Sequence, residues 1–328
     1  MEVGENVDLN KEINLIQGDC LEKMKEIPDK SINLVLIDPP YNINKADWDK
    51  WKTVNAYVEF MGQVFLECQR VLRDNGSFYF FHNDFLQMVE LQNWINKNTK
   101  FIFKSLITIN KSDNIYVKDL YGSMKHFRNY LNVNEYCLYY TFQDETGLTK
   151  IKTDLNNFEI LREYFKEIQE LLNLNKKQIM EQIGQKADHC FRWRSSQWGL
   201  PTEETYNELI NKFRIDKFKC FKKYEDLRQE YEKQRYTFNG KEGIENNLTY
   251  SFRKEKKCKH PTQKPIKLME DIIKISSNEN DLVLDCFMGS GSTGVACINT
   301  NRRFIGIEMD DNYFEIACNR INETLKEG

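Results

Sequence analysis

The sequence predicts an α/β protein built on one mostly parallel, doubly wound sheet, with strands in permuted order and a mainly helical insertion. Three observations carry this. Short apolar runs alternate with helically spaced segments over the first 141 residues. That alternation stops between about residues 145 and 255. A strand, a glycine loop, a helix and another strand then follow from Asp281 onward, too near the end to build a sheet of their own. Alternating strand and helix implies a parallel sheet covered on both faces.

Taken in order, Ile13–Ile16 is the first strand candidate, closed by Gln17-Gly18-Asp19-Cys20. Leu21–Ile27 continues with helical spacing until Pro28 and Asp29 break it. Leu34–Ile37 is the second strand. From about Tyr57 to Leu72, Phe60, Val64, Phe65, Cys68 and Val71 recur at helical intervals; Asp74-Asn75-Gly76 then ends the helix, and Ser77–Phe81 reads as a strand. Further strands are expected at Phe101–Ile109 and Tyr136–Thr141. The long polar and aromatic stretch between them is of the kind that borders a site.

From Phe158 to about Phe238 the pattern turns helical. LREYFKEIQELLNL and KKQIMEQIG are amphipathic, meet near Asn173–Asn175, and precede HCFRWRSSQWGLPTEETYNELINKF, which opens another helix after Pro201. This fits a helix-turn-helix unit as well as a plain helical insertion. Three regions are expected: a first half over 1–145, a basic helical insert over 146–255, and a second half over 256–328.

Composition narrows the class. The chain has 328 residues, 40% hydrophobic and 30% charged, enough for one large core or two smaller ones. No stretch approaches 18 consecutive apolar residues, and the start MEVGENVDLNKE is polar and acidic, so a cytoplasmic protein without a membrane span is expected. The nine cysteines are scattered with no CxxC pair, which favours buried, reduced thiols over a disulfide framework or a zinc site. The net charge is −3, yet residues 211–260 hold 15 basic against 8 acidic residues. A local excess of this kind suits contact with a polyanion, or a solvated helical face.

Two motifs carry chemistry. In LVLIDPPYNINKADWDKW an apolar strand ends in a carboxylate, two prolines and a tyrosine. Pro39 and Pro40 cannot extend a ladder or a helix, so Asp38-Pro39-Pro40-Tyr41 forms a rigid tip. Late in the chain, Gly289, Gly291 and Gly294 have G-x-G-x-x-G spacing after a strand and before a helix, and Glu308 ends the following strand. Such glycines let backbone approach a ligand, and such an acid accepts bonds from ribose hydroxyls. Alone, this would suit a nicotinamide dehydrogenase. Only 34 residues follow Gly294, however, so the remaining strands must come from the N-terminal half. Tip and glycine loop then share one permuted sheet, both at the carboxyl ends of its strands.

Together these residues resemble the β-class, amino-methylating DNA methyltransferases that use S-adenosylmethionine. That family has an early DPPY or SPPY tetrad, a central target-recognition region and a late FxGxG loop. Here they correspond to Asp38-Pro39-Pro40-Tyr41, the insert from about 145 to 255, and Phe287-Met288-Gly289-Ser290-Gly291. His260-Pro261-Thr262-Gln263-Lys264-Pro265 matches a further family element before the cofactor loop. The resemblance covers roughly residues 13–141 and 258–320, and its motifs are specific in combination. It implies a Rossmann-like methyltransferase fold with circularly permuted motif order. It also implies S-adenosylmethionine as donor, no metal, double-stranded DNA as partner, a homodimer, and a cognate restriction endonuclease in restriction-modification or epigenetic marking.

By the same resemblance Asp285, Phe287, Gly289, Ser290 and Gly291 form the cofactor loop, and Glu308 is the ribose ligand. Thr262 and Lys264 contact the methionine portion, and Asp19 lies near the adenine. Asn134-Glu135-Tyr136 matches a less distinctive element near the pocket. Asp at the first tetrad position leans toward adenine N6, Ser toward cytosine N4. Asp38 and the Pro39 carbonyl would each accept one N6 hydrogen, and Tyr41 would stack on a flipped base. The plainer readings are a helix cap for Asp38 and Asp19, a core aromatic for Tyr41 and a solvated charge for Lys264. Asn42–Trp51 is expected to be a mobile loop closing over the base. Arg192, Trp193, Arg194 and Trp198 are the candidates for DNA contact, although both tryptophans suit core packing equally.

Overall fold

The computed structural model describes residues 7–43, 49–111, 133–142, 145–146, 151–152, 158–195, 198–240, 244–251 and 263–327, with backbone alone at 145–146, 151–152 and 327. Thr262, His260, Pro261 and residues 44–48 of the expected closing loop lie outside them. The chain divides into two units, Met1–Phe142 with Thr237–Gly328, and Gln143–Tyr236.

The first unit is one eight-stranded sheet. Its strands are β1 (Ile13–Gln17), β2 (Ile32–Ile37), β3 (Leu72–His82), β4 (Ile102–Asn110), β5 (Asn134–Thr141), β8 (Asn247–Thr249), β9 (Leu282–Asp285) and β10 (Arg303–Glu308). They lie in the order β1-β10-β9-β2-β3-β5-β4-β8. The two C-terminal strands therefore sit between β1 and β2, as the permuted reading requires. Pairing is parallel from β1 to β3, antiparallel where β5 meets β3 and β4, and parallel again between β4 and β8. The sheet is thus mixed where a parallel one was expected. β8 also puts residues 247–249 in this sheet, whereas the sequence reading carried the insert on to about 255.

Helices cover both faces because successive strand residues alternate sides. Val35 and Ile37 point into the cluster made with α1 (Cys20–Met24), α2 (Val54–Val71) and α3 (Phe85–Asn98). Leu34 and Leu36 point into the other, made with α8 (Ile266–Ser276), α9 (Ser292–Asn299) and α10 (Asp311–Glu327). Asp19, Thr53 and Asp84 cap the helices on the first face, each accepting from backbone N–H groups of the first turn.

The second unit contains α4 (Glu159–Leu172), α5 (Lys176–Ile183), α6 (Glu203–Phe213) and α7 (Tyr224–Gln234), with a short antiparallel pair of β6 (Glu145–Thr146) and β7 (Ile151–Lys152). Asn175 and Gln178 form a reciprocal capping box that starts α5 just after Asn173 ends α4 in a left-handed turn. Its core gathers Phe165, Ile168, Ile179, Trp198, Tyr206 and Leu227. Among the described residues, no helix is long and apolar enough to cross a membrane.

Candidate active site

Every acidic residue singled out in the sequence reaches the same edge of the sheet. β1 ends before Gly18-Asp19, β10 at Glu308, β9 at Asp285 and β2 just before Asp38. β5 runs the opposite way, and the register His82↔Tyr136 brings its first residues, Asn134 and Glu135, to this edge too. The neighbours β9 and β2 lead away in opposite directions, β9 to β10 and β2 to β3. Such a switch point leaves a crevice beyond the strand ends. Asp285 and Asp38 stand on its two sides.

At the tip, three distant segments meet through Lys264. Its ammonium Nζ lies 2.6 Å from Asp38 Oδ2 and 3.4 Å from Glu135 Oε1, and it donates to the Tyr41 hydroxyl at 3.1 Å. The side chains of Lys264 and Glu135 are only 5% and 6% exposed, whereas that of Asp38 is 21% exposed. Burial works against the lysine charge, but the two carboxylates outweigh it and hold its pKa above the ordinary lysine value. Lys264 is therefore not a solvated charge but a buried ammonium paired with two carboxylates.

Tyr41 is buried rather than presented as an open stacking platform. Its hydroxyl donates to Asp38 Oδ1 at 2.5 Å, and its ring is tilted against His82 with centroids 4.9 Å apart. The reason is local: a phenol three residues from a carboxylate finds its acceptor there, and burial pushes its ionisation well above the usual range. Asp38 consequently has both oxygens engaged, one by Tyr41 and one by Lys264. It does not cap a helix.

Hydrogen bonds from neighbouring side chains hold the backbone of the tip. Tyr57 donates to the Pro40 carbonyl at 2.7 Å and lies 3.1 Å from His82 Nε2. The other ring nitrogen, Nδ1, lies 3.1 Å from both the N–H and the carbonyl of Asp84. Burial pushes His82 down to about 4. Gln87 donates to the Tyr41 carbonyl at 3.2 Å. Asp49 accepts from the Asn42 and Ile43 N–H groups at 2.6 and 3.2 Å. The described ends of the expected closing loop are thus tied to the tip.

The glycine loop is built from shorter reaches. Asp285 is buried and accepts from the Phe287 N–H at 3.0 Å and the Thr293 hydroxyl at 2.6 Å. Burial nevertheless raises it to about 7. Glu308 accepts from the Gly289 N–H at 2.8 Å and the Asp310 N–H at 2.9 Å, and burial raises its pKa as well. Gly289 and Gly291 have positive φ, +51° and +77°. A Cβ at Gly291 would come within 3.0 Å of Ala317 on α10, and one at Gly294 within 2.5 Å of Ile321. These two glycines therefore serve helix packing as well as the turn. Ser290 is held by Arg320, which donates to its carbonyl at 2.5 Å and its hydroxyl at 3.1 Å. Phe287 meets Phe60 edge-on, 6.4 Å between centroids. Asp19 does what the plain reading expected: Oδ1 accepts from Leu21 and Glu22 N–H at the start of α1.

The residues fit S-adenosylmethionine. The Glu308 carboxylate keeps lone-pair capacity beyond its backbone donors. Both that carboxylate and the Gly289 turn lie at the crevice edge, with Phe287 beside them.

In the helical unit the four candidate DNA contacts separate. Trp198 is buried, donates from Nε1 to the Cys190 carbonyl at 3.1 Å, and carries the Arg162 guanidinium over its ring at 5.3 Å. Trp193 is partly buried against the same core, and its carbonyl accepts from Arg162 at 2.8 Å. Arg192 is paired with Asp188. Arg194 alone of the four is exposed. Both tryptophans thus take the core reading, since a large indole buries more apolar area than any other side chain of this segment.

The sequence points to Glu135 only through Asn134-Glu135-Tyr136, and it does not single out His82, Tyr57, Gln87 or Asp49. A polar residue closing an apolar strand, as His82 closes FYFFH, was the available signal.

Comparison with known proteins agrees with this geometry. The type II methyltransferase M1.MboII of Moraxella bovis is 29% identical over 313 residues, 95% of this chain and 98% of that protein. The DNA adenine methyltransferase YhdJ of Escherichia coli (strain K12) is 28% identical over 318 residues, 95% of this chain and 84% of that protein. Among solved structures, PvuII DNA methyltransferase (cytosine-N4-specific) shares the fold with a TM-score of 0.55 at 14% identity, over 96% of this chain and 92% of that one. The M1.HpyAVI–SAM complex does so at 0.51 and 21% identity, over 94% and 99%. The model of the N6/N4 methyltransferases, described as DNA methylase, matches residues 32–319. With its tetrad and glycine loop facing one crevice across a permuted sheet, the chain belongs to this DNA methylase family.

Proposed function

We propose that this protein transfers a methyl group from S-adenosylmethionine to N6 of adenine at specific sites in double-stranded DNA. The observation that carries the reading is the meeting of Asp38, on its proline-stiffened tip, with the Glu308–Gly289 loop across one switch-point crevice. The name of YhdJ as an adenine methyltransferase supports the choice of base.

Glu308, Gly289 and Phe287 would hold the cofactor, with Asp19 on the neighbouring strand end toward its adenine. Bound there, S-adenosylmethionine supplies an already electrophilic methyl group, so positioning and electrostatics can account for much of the acceleration. The adenine amino nitrogen is a poor nucleophile because its lone pair is delocalised into the ring. Asp38 and the Pro39 carbonyl would each accept one N6 hydrogen and favour a pyramidal nitrogen with its lone pair turned to the methyl group. The base must leave the duplex to reach the crevice. Stacking by Tyr41 would need its ring to leave the packing seen here. The unit Gln143–Tyr236 with the basic residues up to 260 would read the target, and Arg194 is its leading candidate for a phosphate contact. A homodimer and a restriction endonuclease partner rest on the family resemblance alone.

Nucleoside mass spectrometry of duplex DNA methylated by the purified protein tests the proposal. N6-methyladenine is expected. N4-methylcytosine in its place would move the target to cytosine, and no methylated nucleoside from protein that binds DNA would point to a non-catalytic partner subunit.

A further inference from the structure

The catalytic tip poses an electrostatic difficulty. Asp38 is the acceptor for the target amino group, yet both its oxygens are already engaged, Oδ1 by Tyr41 and Oδ2 by Lys264. A base that enters must displace the ammonium, and a buried ammonium cannot be left unpaired without a large desolvation cost. The structure places one alternative partner within reach. Glu135 Oε1 is 3.4 Å from Lys264 Nζ, so a shift of about an ångström would complete a charge-assisted bond there. The other oxygen, Oε2, is buried and has no hydrogen-bond partner among the described residues, which leaves this carboxylate with unused acceptor capacity. Lys111 lies 3.6 Å from Oε1, so two carboxylates and two ammonium groups balance in the cluster. Phe81 and Tyr41 pack their rings beside Lys264 Nζ, at 5.0 and 5.4 Å to the centroids, which confines its movement.

We propose that Lys264 is a two-position counter-ion, paired with Asp38 before the target base arrives and handed to Glu135 when the amino group takes Asp38 Oδ2. Glu135 is then a positioning residue: it never meets the substrate but sets how readily Asp38 is released to it. The inference rests on the methyl-transfer reading above and assigns Lys264 to the catalytic carboxylate rather than to the cofactor.

The test is methyl transfer from labelled S-adenosylmethionine to long unmethylated duplex DNA, with cofactor affinity measured by calorimetry. Glu135→Gln keeps the shape and removes the charge, so Lys264 has only Asp38 to hold; kcat/KM for DNA should fall by roughly tenfold or more. Cofactor Kd should stay within about threefold, since no cofactor contact is lost. Adding Lys264→Met to Glu135→Gln frees Asp38, and the double variant should recover at least about fivefold over Glu135→Gln alone. A purely structural Glu135 predicts a double variant no better than the single one, and that result would overturn the proposal. So would a Glu135→Gln enzyme equal to wild type, or a Lys264→Met protein whose cofactor Kd rises about tenfold or more. If Glu135→Gln fails to fold, Lys264→Met alone carries the test through its cofactor affinity. Wild-type protein that methylates no DNA in the same assay fails the functional reading itself, a distinct outcome.

Discussion

The tetrad pocket and the glycine loop face each other across one crevice, and each is organised around carboxylates, but they are assembled differently. In the loop, Asp285 is satisfied from within its own segment, by Phe287 N–H and the Thr293 hydroxyl two and eight residues away. In the pocket, Asp38 depends on Lys264, and Lys264 on Glu135, groups brought from three distant segments of the chain. Locally closed carboxylates make a rigid receptor. A carboxylate held in part by an ammonium from a distant segment makes a site that can exchange partners when a substrate amine arrives. The difference predicts that pocket substitutions act on turnover and loop substitutions on cofactor affinity or stability.

The largest effect should come from Asp38→Ala, which removes the acceptor for the amino group. Turnover is expected to drop by about 10³-fold or more, with cofactor Kd within about threefold of wild type. Transfer within tenfold of wild type would break the comparison at its root. Glu308→Ala takes a charged acceptor from the Gly289 and Asp310 N–H groups and from the ribose; cofactor affinity should weaken by about 10- to 100-fold, while kcat at saturation changes little. An unchanged Kd by calorimetry would remove the loop from cofactor binding.

Gly291→Ala sharpens the comparison on the stability side. The added methyl must adopt φ near +77° and meet Ala317 at 3.0 Å, so denaturant titration should show a loss of about 1–2 kcal/mol. No loss would mean that α10 yields.

The last effect is a slope. Asp285, raised from 3.8 to about 7 by burial, keeps a proton in the native state that the unfolded chain has released above its ordinary value. Stability from this group is therefore present at low pH and lost as pH rises from about 4 to about 7, by at most about 1.4 kcal/mol per pH unit. Asp285→Asn removes the titration, so its stability relative to wild type should improve across that window. Parallel pH profiles for the two proteins would show that Asp285 is not held in this way.

Much of this was legible before any coordinates. Strand runs such as Leu34–Ile37, the proline stop after Asp38 and the strand–loop–helix signal around Gly289 are written in neighbouring residues, because steric limits on the backbone and the period of apolar side chains act over a few positions. The shortage of chain after Gly294 likewise implied a permuted sheet, and the strand order confirms it. The reversal of β5 was not legible, since an apolar strand reads the same in both directions. Neither was the split among Arg192, Trp193, Arg194 and Trp198, which depends on which faces α4 and its neighbours bury.

The sequence by itself thus determined most strands of the sheet, the two motifs and their permuted order, all consequences of local backbone chemistry and spacing. Only the tertiary structure decided the company those motifs keep: that Lys264 belongs to Asp38 and Glu135, that Tyr41 is packed rather than open, and that Gly291 and Gly294 make room for a helix. The physical reason is that the energy of a charge or a missing Cβ depends on burial and on groups supplied by distant segments, and those are set when the chain closes on itself.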